Sequence, residues 1–96
     1  MRFEWDERKS RSNYYKHGLT FDVAERAFSD PLHRSAPDRP EHGELRWKTI
    51  GYAGPEVLLV VVHTLGERHG EEVCRIISAR RPTRSERARF EEDDWT

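Results

Sequence analysis

Val57-Leu58-Leu59-Val60-Val61-Val62 is an unbroken aliphatic run in a 96-residue chain of which 36% is charged. A β-branched run of this length, bounded by Gly54-Pro55 before it and Gly66 to Gly70 after it, reads as a strand covered on both faces, the central strand of a sheet. It falls far short of the ~20 apolar residues that span a bilayer. With 34% hydrophobic residues, the chain holds one modest core, so residues 1–96 are read as a single domain. The N-terminal residues Met1 to Asp6 do not form a signal peptide, and the lone Cys74 forms no internal disulfide. The expected compartment is the cytoplasm, with no membrane contact.

The central strand has a predicted neighbour on each side. Glu44 to Tyr52 alternates, with Leu45 and Trp47 on one face and Glu44, Arg46 and Lys48 on the other. Residues 72–80 form the third strand. Pro82 holds Arg81 out of the α region, and Thr83-Arg84-Ser85-Glu86 then fits a capping box that starts a C-terminal helix. The loop Leu65 to Gly70 looks longer than a tight turn. Ahead of this meander, Arg2 to Trp5 suits a short strand with Phe3 and Trp5 facing the core. Asp6 caps a weakly amphipathic helix to about His17, ended by Gly18, whose only large apolar residues are Tyr14 and Tyr15. A second helix starts at Thr20, carries Val23, Ala24, Ala27 and Phe28 as an apolar stripe, and stops at Asp30-Pro31. Leu32 to Gly43 is a loop with a short strand near His33 to Ala36. The fold class is α+β: an N-terminal strand and two helices packed on an antiparallel β-meander, with a C-terminal helix and the flanking helices on one face.

Seventeen basic and eighteen acidic residues cancel, so only the distribution of charge can point to a polyanion. From Arg75 through Arg89 there are six arginines and one acid, followed by Glu91-Glu92-Asp93-Asp94. Arginines at a sheet end offer planar, permanent donors for phosphate. Arg75 and Arg80 differ by an odd number and point to opposite faces of a regular strand unless a bulge intervenes, so Arg80 is preferred for the main face. RNA is cleaved without metal when a base activates its 2′-hydroxyl, cations hold the phosphorane and an acid protonates the leaving oxygen. Glu44 or a histidine fits the base, Arg46 and Arg80 the cations, and His17 or His63 the acid. Plainer roles compete: a solvated strand face for Glu44 and Arg46, a cap for Glu86, a structural hydrogen bond for His63, and pairing with the acidic tail for Arg81, Arg84 and Arg87. The histidines show no zinc-ligand spacing.

Phe3-Glu4-Trp5-Asp6, Lys16-His17-Gly18-Leu19-Thr20-Phe21, Asp30-Pro31, Gly43-Glu44 with Arg46 and Gly51, and Arg75-Ile76-Ile77-Ser78-Ala79-Arg80 with Thr83, Glu86 and Arg87 occur in an order that resembles the BrnT family of type II toxins. The resemblance implies a RelE-like fold and a ribonuclease that stops translation and needs neither metal nor cofactor. It also implies a BrnA-like antitoxin, through which alone operator DNA is bound. By the same resemblance Glu44, Arg46, Lys48, Arg75, Arg80 and Arg81 match positions that hold RNA phosphate; with the residue-level reading, Glu44, Arg46 and Arg80 are the catalytic candidates, and Lys48, Arg75, Arg81 and His17 the substrate-binding ones. Phe90 stands where many relatives carry a tyrosine, and it cannot donate a proton. The contrasting expectation is a non-catalytic module that acts as a co-repressor with a DNA-binding partner.

Overall fold

The computed structural model describes residues 1–96. Five strands, β1 (Arg2–Glu4), β2 (Arg34–Pro37), β3 (Trp47–Tyr52), β4 (Leu58–Arg68) and β5 (Glu71–Arg80), form one sheet in the order β1-β5-β4-β3-β2. β2 to β5 run antiparallel in sequence order, and β1 joins β5 in parallel. The aliphatic run is the central strand: Leu58, Leu59, Val60 and Val61 are all fully buried. Leu59 and Val61 face one apolar cluster while Leu58 and Val60 face another, as the two-residue side-chain period requires.

Helices α1 (Glu7–His17) and α2 (Phe21–Glu25), the latter continuing as a 3-10 turn (Arg26–Ser29), lie on the first face. Asp6 caps α1 by accepting from the Arg8 amide at 2.8 Å, and Gly18 ends it at φ 74. α1 has no apolar stripe, and it docks through polar residues. Ser10 Oγ accepts from Phe21 N at 2.9 Å. Asn13 donates to Leu19 O and Ala79 O at 2.8 Å and accepts from Ala79 N at 3.1 Å, so its amide takes the place of a missing strand beside β5. Gly51 is a close approach: a Cβ there would sit 2.6 Å from Ala27 O of the 3-10 turn.

Three expectations are corrected. The flanking helices do not share a face, because α3 (Arg84–Glu91) crosses to the second one, where Phe90 and Trp95 close the cluster of Ala36, Ile50, Leu58 and Val60. The segment Leu65 to Gly70 is no long loop; β4 and β5 stay paired to Arg68↔Glu71, and His69 (φ 54) and Gly70 (φ 78) make a two-residue turn with the left-handed backbone that such hairpins favour. Finally, β3 starts at Trp47, leaving Glu44 in a turn bridged to Glu41 and Leu45 exposed. Thr83 and Glu86 do form the capping box of α3.

Candidate functional site

The register of β5 decides which cations share a face. Val62 pairs with Ser78 and His63 with Ile76, so Ile77 is an extra residue, a bulge. The bulge shifts the alternation by one. Arg75, opposite Thr64, and Arg80, opposite Val60, therefore lie on the same face, and the expectation that only one of them can do so is corrected. Lys48, paired with Val62, belongs to that face as well. α3 and Trp95 cover the row of Val60 and Ile50 and, at Ala36, the β2 end of the row that Lys48 and Val62 share. Val62 and Thr64 themselves stay half-buried, flanked by Lys48, Ser78 and Arg75.

Arg80 is held by Glu86, its Nη1 and Nη2 donating to the two carboxylate oxygens at 2.7 and 3.0 Å. Nη1 also reaches Arg81 O at 3.3 Å, and Nε has no partner within the protein, so one edge of the guanidinium is free. The Arg80 hydrogen bonds hold the Glu86 carboxyl down at about 2, helped by the Thr83 amide and Lys48 and opposed by burial. Glu86 is thus a fixed anion and no proton carrier near neutrality. Lys48 Nζ is 3.9 Å from the same carboxylate. Its backbone oxygen accepts from Trp95 Nε1 at 3.1 Å, and its ammonium stands 5.5 Å from the Trp95 ring centre.

Two clefts hold Arg75, Glu44 and Arg46. One, of about 280 Å³, includes Glu4, Glu44, Thr64, Arg68 and Arg75 in its lining. There Glu4 accepts from Arg68 at 3.0 Å and lies 3.5 Å from Arg75. The other, of about 380 Å³, is lined by Asp38, Arg39, Pro40, Glu41 and Arg46. Arg46 Nη1 contacts Glu41 at 2.9 Å, while its buried Nε has no partner. Glu44 and Arg46 line separate clefts because the turn at Glu41 to Glu44 turns the chain before β3 begins.

The other candidates scatter. Arg81 is exposed on the link to α3. His17 ends α1 and lines a third cleft at the open edge of β5. His63, an expected acid, is 1% exposed, with Nε2 2.7 Å from Thr49 Oγ1 and its ring 5.0 Å from that of Phe28. Burial pushes it down to about 4, so it is a structural imidazole. Sequence reasoning missed Glu86 as the ion partner of Arg80; the signal was a carboxylate folded back over the Pro82 turn toward the strand end. No group of three or more His, Cys, Asp or Glu is placed to hold a metal ion, and no helix is long and apolar enough to cross a membrane.

A family model described as "Ribonuclease toxin, BrnT, of type II toxin-antitoxin system" matches residues 5–86. The chain belongs to the BrnT family. The match ends at Glu86, so it takes in Arg46, Arg75 and Arg80 and leaves Phe90 and the acidic end outside. The 1.1 Å crystal structure of the Brucella abortus ribonuclease toxin, BrnT, superposes with a TM-score of 0.59 and 24% identity, covering 88% of this chain and 99% of that one. At this identity the likeness to BrnT speaks for the fold. Curated proteins give no match.

Proposed function

We propose that this BrnT-family chain is a metal-independent endoribonuclease of RelE-like architecture that stops translation in the cytoplasm and is neutralised by a BrnA-like antitoxin, the antitoxin carrying any operator-DNA binding. The observation that supports this most directly is the bulge at Ile77, which sets Arg75 and Arg80 on the half-open face with Lys48. In this reading the free edge of Arg80 takes a phosphate oxygen, Glu86 fixes that guanidinium, and Arg75 and Lys48 balance the remaining charge. The substrate's 2′-hydroxyl attacks phosphorus as the bond to the 5′-oxygen breaks, leaving a cyclic phosphate and a 5′-oxygen that takes its proton from water. Glu44, exposed at the cleft that holds Arg75, takes the hydroxyl proton. Arg46 has its unpaired Nε as a further donor, Arg81 contacts the strand as it leaves the site, and His17 holds RNA beyond it.

Purified protein is expected to cleave RNA in the presence of chelator, and Arg80→Ala to lower the rate by about 10²–10³-fold while thermal unfolding stays cooperative. Cleavage that vanishes with chelator, or an undiminished Arg80→Ala, would overturn the assignment. A second reading, a non-catalytic co-repressor, is favoured by Phe90, whose ring packs 6.0 Å from Tyr52 and brings no hydroxyl. It requires RNA to stay intact at every protein concentration.

A further inference from the structure

The third cleft differs from the two that hold Arg75 and Arg46 in the sign of its lining. Those hold acids and bases together, whereas this one, about 200 Å³ at the edge of β5, carries Lys9, Lys16 and His17 with Ser12, Ile77 and Ser78 and has no acidic side chain. Its helical members follow the spacing of one face of α1. Asn13, on the same face, is committed to Ala79 and Leu19, so the helix stands fixed against the strand. α1 as a whole has Arg8, Lys9, Arg11 and Lys16 against Glu7 alone, and it leaves Tyr14 53% and Tyr15 86% exposed. Cations interleaved with exposed aromatic rings, without an apolar stripe, suit a charged strand whose bases can stack and do not suit the apolar face of a partner helix.

The cleft meets the face described above at the edge of β5. Ile77, the bulged residue, lines it, and Ser78 lines it while pairing with Val62 in the row between Arg75 and Arg80. Along the strand, Ser78 is about 6.7 Å from Arg80. We infer that this cleft and the outer face of α1 form a second track for single-stranded RNA, holding the phosphates of nucleotides that flank the one bound at Arg80. The inference rests on the RNA reading of that site. It adds that substrate length matters: a strand passing over the β5 edge gains the α1 cations, and one too short to do so does not. Tyr14 and Tyr15 then offer stacking to bases outside the cleaved step.

The test uses fully 2′-O-methylated RNA of five and fifteen nucleotides, which binds without being cut, with the intact protein and with Lys9→Ala/Lys16→Ala. Both lysines are on the surface of α1, and unchanged circular dichroism checks the fold of the variant. The fifteen-mer is expected to bind the variant about tenfold more weakly, with the slope of log affinity against log salt reduced by about 1.4 for two lost phosphate contacts. Five-mer affinity should stay within twofold of the intact protein's. Equal fifteen-mer affinity and slope in both proteins, with the five-mer still bound and still sensitive to Arg80→Ala, would overturn the α1 track alone. Failure of the intact protein to bind either oligomer would overturn the track and the ribonuclease reading together. Unchanged RNA affinity with weakened binding of polyglutamate would assign the cleft to an acidic protein and also overturn the track.

Discussion

At the scale of single residues, His63 ties packing to a measurable pH response. The unfolded chain takes up a proton near the ordinary imidazole value of 6.5, whereas burial delays uptake in the fold to about 4. The folded pKa is the lower one, so the contribution of His63 is fully present above about 6.5 and drains away as pH falls toward 4. The window corresponds to about 3 kcal/mol. His63→Gln retains a polar partner for Thr49 and removes the titration. Urea unfolding at a series of pH values should show the intact protein losing stability through this window more steeply than the variant; parallel profiles would refute the buried-neutral assignment. The place of His63 at the end of an apolar strand made its structural role legible in the sequence. The pairing of Arg80 with Glu86 was not, because a capping box accounts for Glu86 by itself and says nothing of what approaches from the preceding strand.

Among the elements, those marked by apolar pattern or by caps were legible: the central strand by its unbroken aliphatic run, α2 by its stripe and the start of α3 by its capping box. α1 was placed by its caps, but the way it docks was hidden, since its contacts are amide and hydroxyl bonds to backbone that leave no hydrophobic signature. Asn13→Ala tests the importance of that docking. It strands the Ala79 amide and two carbonyls, and an expected loss of about 3 kcal/mol should appear in thermal unfolding together with faster hydrogen exchange at the Ala79 amide. Unaltered exchange would show that another group already satisfies the strand. The bulge was equally hidden. Ile77 is β-branched like Ile76 and Val73, and only its pairing with β4 reveals that one residue is supernumerary. Gly51 was visible as a glycine within a strand, and the Ala27 carbonyl supplies the reason for it.

For the whole molecule, what matters is that the sheet carries apolar packing on both faces and that the second cluster is closed from the C-terminal end. Trp95 is 6% exposed, bonds to Lys48 O and stacks under Arg89 at 5.0 Å. The acidic end does not pair with Arg81, Arg84 or Arg87; Asp93 reaches back to Arg34 of β2 at 2.7 Å. Trp95→Ala should cost about 3 kcal/mol in chemical denaturation, and a loss below a tenth of that would show the tail to be dispensable to the core. Helices on opposite faces were not foreseeable from short connections, because the Pro82 turn fixes where β5 ends without fixing which side the chain then takes. The single supernumerary residue in β5 has one more consequence, for heredity. A frame-preserving loss of the Ile77 codon would leave Arg75 and Arg80 an even number of residues apart, on one face of a regular strand, with Ile76 still opposite His63 and Ser78 still opposite Val62. The ladder with β4 thus already absorbs the surplus residue, and the gene should tolerate the loss of that codon as readily as a spelling change in it.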